Sequence, residues 1–164
     1  MFKFITASIS AASVAAAHMK ITDERCLKSD HYVSDLPYFK VGHVQPCSFA
    51  GTLPSNEEMS HHMFYWMYPN QNIDAPIAVW LNGGPGASST FANFLLNGPM
   101  GIDHFGAGAD DFSIYVKDQG SWADIATMVY VDQPVGTGFS WGDNYLNNMD
   151  DAADEFVFFL SGLF

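Results

Sequence analysis

The sequence is poor in positive charge, with 6 lysines and arginines against 18 aspartates and glutamates in 164 residues. Its formal net charge at pH 7 is −12. Lysine and arginine neutralise nucleic-acid phosphates and attract proteins to anionic membrane surfaces. The composition therefore argues against a nucleic acid and against a membrane as a partner. The acidic balance suits a soluble protein that is secreted or enters an acidic compartment.

Cysteine is also scarce, since the chain has only Cys26 and Cys47. In a secreted protein these two could form a disulfide, and two buried thiols are the alternative. Their spacing fits no metal site. No N-x-Ser/Thr sequon occurs, which leaves no acceptor for an N-glycan.

No apolar run is long enough to cross a bilayer, but the first residues have the features of a signal peptide. Lys3 precedes an uncharged stretch over residues 4–17, which ends in the small residues Ala15, Ala16 and Ala17. We predict a signal peptide at 1–17 and a single domain at 18–164, in a protein that is secreted or lysosomal/vacuolar. A buried N-terminal helix is the alternative.

Apolar periodicity predicts strands that alternate with helices. We expect strands at 62–68, 75–81, 112–116 and 126–132, and helices at 90–96 and 149–164. Ser88 and Ser89 are candidates to cap the first of these helices. The apolar run at 75–81 is typical of a strand covered on both faces. This order predicts an α/β fold with a mainly parallel sheet. The chain ends within an apolar stripe, at Leu163 and Phe164, so we expect this α/β domain to be incomplete.

The most informative segment follows the strand at 75–81 and reads Asn-Gly-Gly-Pro-Gly over residues 82–86. Glycines let backbone N–H groups approach a ligand closely, and such loops form oxyanion holes. By itself, however, a loop of this composition is more often only a turn.

Two longer segments change this balance. Residues 80–89 read WLNGGPGASS and resemble the oxyanion-hole motif of serine carboxypeptidases, and residues 131–140 (VDQPVGTGFS) match a second motif of that family. Shorter matches lie at 64–66, 98–99 and 121–122. The resemblance spans about 48–164. It implies the N-terminal part of an α/β-hydrolase domain, truncated before the nucleophile.

The resemblance also implies roles for individual residues. The side chain of Asn82 and the N–H of Gly83 would bind the C-terminal carboxylate of a peptide or protein, and the N–H of Gly84 would be an oxyanion donor. The family cleaves the last peptide bond through an acyl-enzyme without a cofactor. The triad order in this fold is Ser, Asp, His, and the family's Gly-Glu-Ser-Tyr elbow does not occur in these 164 residues. We therefore expect the chain alone to be inactive.

Three positions depart from the family pattern. Ala87 stands where the family usually has a cysteine, Leu96 where it has a glutamate near the carboxylate site, and Trp141 where tyrosine is common. A non-catalytic binding protein, and an acyltransferase or esterase of the same fold, are the alternative functions. The oligomeric state is left open.

Several other residues belong to types that occur in catalytic or metal sites, but their sequence context argues against such a role. Ser140 lies in a formal Gly-x-Ser-x-Gly sequence, but five residues separate Asp132 from Gly138, and no helix follows. The adjacent His61 and His62 point to opposite faces of a strand, and we expect surface histidines there. His104 follows Asp103 in an expected loop, and we assign it no role as a base.

Overall fold

The structure is a computed structural model that describes residues 24–104, 108 and 112–164. The predicted signal peptide at 1–17 lies outside the described residues. Within them, no helix combines the length and the apolar character needed to cross a membrane.

The described chain contains seven strands and three α-helices. The strands are β1 (Phe49–Pro54), β2 (His61–Tyr68), β3 (Ile77–Leu81), β4 (Met100–His104), β5 (Phe112–Val116), β6 (Thr127–Asp132) and β7 (Trp141–Gly142). The helices are α1 (Glu24–Leu27), α2 (Thr90–Leu95) and α3 (Met149–Leu163), and a short 3-10 helix spans Trp122–Asp124. The four predicted strands and two predicted helices are present, and β4 forms within a segment predicted to be a loop.

The main sheet is mixed, so the prediction of a mainly parallel sheet is wrong for the described residues. Its strand order is β1-β2-β6-β3, and the short β7 pairs with β2. Only β3 and β6 run parallel; β2 is antiparallel to β1, β6 and β7. The short connection between β1 and β2 can only form an antiparallel hairpin, whereas the long connection through α2 lets β6 return parallel to β3.

Strand β3 lies at one edge of the main sheet, and every second residue of it is exposed to solvent. Ile77, Val79 and Leu81 are exposed, while Ala78 and Trp80 between them are half-buried. The prediction that this strand is covered on both faces is therefore wrong in the described part of the chain. Its apolar run reflects β propensity, which does not by itself report burial.

The main sheet separates two apolar clusters. Met63, Tyr65, Val129 and Val131 belong to one cluster, which α3 covers with the fully buried Phe159. The alternate residues of the same strands, among them Trp66, Tyr68, Met128 and Tyr130, belong to the other cluster, together with residues of α2, β4 and β5. This division follows from the two-residue repeat of a strand. The separate hairpin of β4 and β5 thus covers the second cluster.

Helix α3 begins as its sequence predicts. The side chain of Asn148 caps it by accepting a hydrogen bond from the Asp151 N–H (2.8 Å). On α3, Ala152 and Phe159 are buried, whereas Met149 is 73% exposed. Helix α2 differs, because Ser89 makes no side-chain cap. Its neighbour Ser88 accepts a weak hydrogen bond from the Thr90 N–H (3.2 Å).

The prediction of surface histidines at positions 61 and 62 is wrong. His61 is buried, and its Nδ1 lies 2.6 Å from Oε1 of Glu155 on α3. His62 is half-buried and stacks on Trp141, with ring centroids 4.2 Å apart. Glu155 lies in the second turn of α3, far from His61 in the sequence. The packing of this helix on the sheet brings His61 and Glu155 together. His61 thereby joins the start of β2 to α3.

The structure pairs Cys26 with Cys47 in a disulfide, which decides the alternative that the sequence leaves open. The bond ties α1 to the chain just before β1, and both residues belong to the cluster under α3.

We predict that replacing both cysteines by alanine lowers the free energy of unfolding by about 3 kcal/mol, because the bond closes a loop of 21 residues that is otherwise free in the unfolded chain. Urea denaturation of the double variant beside the oxidised parent measures the difference. The parent under reducing conditions is the control and should lose a similar amount. A loss below about 1 kcal/mol would contradict this structural role.

Candidate active-site loops

Two loops meet where the parallel strands β3 and β6 end. The first, residues 82–89, joins β3 to α2, and the second, residues 133–140, follows β6. Because parallel strands have their carboxyl ends at one edge of the sheet, these loops become neighbours although about 50 residues separate them. Both carboxypeptidase-like motifs of the sequence therefore lie at one edge.

The buried carboxylate of Asp132 joins the two loops. Its Oδ1 accepts hydrogen bonds from Ser88 Oγ (2.8 Å) and from the Ser89 N–H (2.7 Å), both in the first loop. Its Oδ2 accepts a hydrogen bond from the Phe139 N–H (3.0 Å) in the second loop. Only 1% of Asp132 is exposed. Three donors can compensate the cost of burying a carboxylate, so this residue holds both loops together.

The close approach of the second loop to Asp132 requires glycine at position 138. Gly138 has a φ of +54°, and a Cβ there would clash with the carboxylate. Gly84 and Gly86 in the first loop also have positive φ, at +139° and +101°. These backbone conformations are readily adopted by glycine and explain part of both motifs.

Serines 89 and 140 satisfy backbone groups of the sheet. Ser89 Oγ donates to the Val131 carbonyl (2.6 Å) and accepts from the Asn82 N–H (3.0 Å). Ser140 Oγ donates to the Asp132 carbonyl and accepts from the Phe64 N–H (2.8 Å). Ser140 is buried in a loop that leads into β7, not in a turn from strand to helix. This geometry agrees with a structural role for Ser140 and not with a nucleophile.

Asn82 is half-buried and its side chain is oriented by two hydrogen bonds. Its Oδ1 accepts from Trp80 Nε1 (2.9 Å), and its Nδ2 donates to the Ser88 carbonyl (3.0 Å). A carboxamide has two N–H donors, so one remains after the bond to Ser88. The orientation of this side chain is therefore set before any ligand binds.

The backbone of the first loop is open to solvent from Gly83 to Ala87. Among the described residues, neither the Gly83 nor the Gly84 N–H donates a hydrogen bond. Unpaired backbone donors are tolerated at an exposed site because water can bind them. Two successive N–H groups are thus available to an external acceptor.

Of the positions that depart from the resembled pattern, Ala87 lies in the first loop, Leu96 directly follows α2, and Trp141 directly follows the second loop. Ala87 is exposed, and Leu96 is 52% exposed directly after α2. Asn97 is buried, and its Oδ1 accepts a hydrogen bond from the Tyr130 hydroxyl (3.2 Å). Burial raises the pKa of Tyr130 far above its ordinary value, so this hydroxyl stays protonated and can donate. Trp141 is half-exposed in β7.

In the part of the chain that the structure describes, no histidine ring makes a hydrogen bond to a side chain of the two loops. His104 is the exposed last residue of β4, which replaces the predicted loop there, and His61 is paired with Glu155. In residues 24–104, 108 and 112–164, no three His, Cys, Asp or Glu side chains are arranged to hold a metal ion. The hydrogen bonds of Asp132 to both loops were not predicted from the sequence. The signal for it was a carboxylate at the end of a buried apolar strand.

We predict that Asp132→Asn lowers the free energy of unfolding by about 2–3 kcal/mol, because the new NH2 group would face a donor that now binds the carboxylate. Chemical denaturation measures this loss. Asp154→Asn, at an exposed position of α3, removes the same charge and should change stability by less than about 0.5 kcal/mol. Equal stabilities of the two variants would refute the role of Asp132 as the link.

Comparison with known proteins agrees with the two motifs. The sequence pattern of the serine carboxypeptidase family matches residues 39–164. The pheromone-processing carboxypeptidase KEX1 of Arthroderma otae is 37% identical over 140 residues, which are 83% of this chain and 21% of that protein. KEX1 of Pyricularia oryzae is 34% identical over 163 residues, covering 97% of this chain and 22% of that protein.

A third relative comes from Dictyostelium discoideum. Its serine carboxypeptidase S10 family member 2 is 35% identical over 144 residues, which are 83% of this chain and 25% of that protein. The chain thus spans a quarter or less of the length of these three relatives. The match over residues 39–164 shows that the chain belongs to the serine carboxypeptidase family.

Proposed function

We propose that this chain forms the carboxylate-binding and oxyanion-binding part of a serine-type carboxypeptidase, which releases C-terminal residues from peptides and proteins. The observation that carries the proposal is the exposed backbone of Gly83 and Gly84, whose N–H groups donate no hydrogen bond among the described residues. The link through Asp132 supports it, because an oxyanion hole must keep its donors in place before the reaction.

Three neighbouring residues have separate roles in this proposal. The free N–H of the Asn82 side chain and the N–H of Gly83 bind the terminal carboxylate of the substrate. The N–H of Gly84 stabilises the oxyanion that develops on the carbonyl of the last peptide bond. Because Asn82 is already oriented by Trp80 and Ser88, its remaining donor loses little freedom when it binds a carboxylate.

This division explains how the site would select chain ends. A peptide without a terminal carboxylate leaves the donors of Asn82 and Gly83 unpaired in the complex, at a cost of about 1–3 kcal/mol for each unmet group. The formal charge of −12 opposes an anionic ligand, but salt screens this repulsion beyond about 8 Å at physiological ionic strength. Short hydrogen bonds must therefore supply the affinity.

The proposed reaction needs a serine nucleophile and a histidine base, and the family's Gly-Glu-Ser-Tyr elbow does not occur in the sequence. In acyl transfer, the serine oxygen attacks the carbonyl carbon, and the serine gives its proton to the departing amine by way of a histidine. Water then hydrolyses the acyl-enzyme. Ser140 is engaged with Asp132 and Phe64, so it does not take this role. We therefore propose that the parent enzyme catalyses this reaction and that the chain alone binds but does not cleave.

Leu96 bears on the strength of binding. It replaces the glutamate that the family resemblance associates with the carboxylate site, and it offers no hydrogen bond there. The neighbouring Asn97 is turned into the core toward Tyr130, so it does not substitute for that glutamate. We accordingly propose carboxylate binding through Asn82 and Gly83 alone, in a protein that is secreted or lysosomal/vacuolar.

We predict that the chain binds acetyl-trialanine at least tenfold more tightly than its C-terminal amide, because only the acid pairs with both carboxylate donors. Calorimetric titration at 0.15 M salt measures both affinities. Gly83→Pro, which removes one of the two donors, should reduce the difference. Gly83→Ala is the matched control, since a Cβ there meets no atom within 4 Å and the N–H is kept. Equal binding of acid and amide by the parent chain would refute the proposal.

We also predict that the purified chain releases no amino acid from acetylated peptides above the rate of its Ser140→Ala variant, because no serine in the part of the chain that the structure describes lies in a turn from strand to helix of the nucleophile-elbow kind. Mass spectrometry of the products measures release. Cleavage that disappears in the Ser140→Ala variant would make Ser140 the nucleophile and contradict us. Transfer of the acyl group to an alcohol by the chain would favour the alternative of an acyltransferase.

A further inference from the structure

The outer edge of β3 has no neighbouring strand in the part of the chain that the structure describes. Its pairing with β6 shows which backbone groups point outward. The Thr127 N–H donates to the Pro76 carbonyl (2.9 Å), so every second residue from Pro76 directs its backbone groups to β6. The residues between them, Ile77, Val79 and Leu81, therefore direct their N–H and C=O groups to the open edge.

The same three residues carry apolar side chains that are between 37% and 54% exposed. In the pairing with β6, Val79 lies beside Val129 and Leu81 beside Val131. Val129 and Val131 belong to the apolar cluster that α3 covers. This cover ends before β3, so the apolar face of the sheet stays open over its last strand.

Strand β3 lacks the features by which edge strands usually avoid pairing with another chain. Such edges carry charged side chains, prolines or bulges. Residues 77–81 contain no proline and no charged residue, and their pairing with β6 is continuous. The surrounding segment 75–102 contains no Asp, Glu, Lys, Arg or His, although the formal charge of the chain is −12. Two copies of this acidic chain can therefore meet at β3 without bringing carboxylates together.

A second copy of β3 fits this edge with full pairing in one antiparallel register. When Val79 lies opposite its own copy, Ile77 lies opposite the partner's Leu81, and each outward N–H meets an outward C=O. The apolar side chains then form cross-strand pairs on one face of a continuous sheet. A two-fold axis at Val79 relates the two copies, so the pairing occupies the whole edge and closes at a dimer.

We propose that the outer edge of β3 is a self-association surface, at which two copies of this chain pair antiparallel and extend the sheet. This inference is independent of the proposed carboxylate binding. An exposed row of N–H and C=O groups recognises another strand, and the segment 75–102 offers no charged side chain to a partner of opposite charge. A single strand pair is a small interface, so the dimer is weak and depends on the protein concentration.

Sedimentation velocity over about a hundredfold range of protein concentration tests the proposal. We expect an equilibrium of monomer and dimer with a dissociation constant of about 10 μM. This constant should fall as the salt concentration rises from about 0.05 to about 0.5 M, because salt screens the repulsion between two chains of charge −12. A monomer at every concentration would overturn the proposal, and assemblies larger than a dimer would overturn the two-fold pairing.

Charged variants locate the interface. Val79→Lys places two lysines opposite each other across the two-fold axis, so it should weaken the dimer at least about tenfold. Val157→Lys introduces the same charge at a position of α3 that is 65% exposed, and should leave the dissociation constant within about twofold of the parent value. If Val157→Lys weakens the dimer and Val79→Lys does not, the interface lies on α3 and the proposal is wrong.

Cross-linking tests the register without introducing a charge. Val79→Cys gives the chain one free thiol, since Cys26 and Cys47 form a disulfide. A short bismaleimide should join two copies of this variant, because residues directly opposite on antiparallel strands have Cβ atoms only about 5 Å apart. Ile73→Cys, at an exposed position before β3, is the matched control and should remain uncross-linked. Equal yields from the two variants would overturn the pairing at Val79.

Discussion

The carboxylate of Asp132 is the interaction on which the candidate site depends. It lies at the end of β6, and its two oxygens accept hydrogen bonds from two loops that are far apart in sequence. Burying a charge costs free energy unless hydrogen-bond donors surround it. The position in which the donors of each loop reach the carboxylate is therefore the stable one. The conformation of the glycine loop therefore follows from satisfying one buried charge, before any substrate is present.

This arrangement explains why the most exposed backbone of the site is also well defined. Ser88 and Ser89 hold the far end of the first loop against β6, while Asn82 continues the strand at its near end. Between these ends, Gly83 and Gly84 keep their N–H groups free for an external acceptor. Preorganised donors of this kind require rigid supports on either side, and here a strand and a buried carboxylate provide them.

Much of the fold was predictable because its signals are local. The apolar runs at 126–132 and 149–164 indicated a buried strand and a helix, and the Gly-Gly-Pro-Gly segment indicated the loop between β3 and α2. Properties that depend on distant partners were predicted poorly. The exposure of β3 and the direction of most strand pairs follow from which segments lie next to each other. His61 gave no sign of its pairing with Glu155, which lies 94 residues away.

The sequence by itself determined the family, the order of the main elements and the residues of the glycine loop, because motifs and periodicity lie within short segments. Only the tertiary structure decided that Cys26 pairs with Cys47, that Ser140 is engaged in the sheet, and that Asp132 joins the loops. It also decided that β3 lies at one edge of the main sheet. Most of these contacts join segments far apart in the chain, and a local sequence pattern does not report which distant segment a residue will meet.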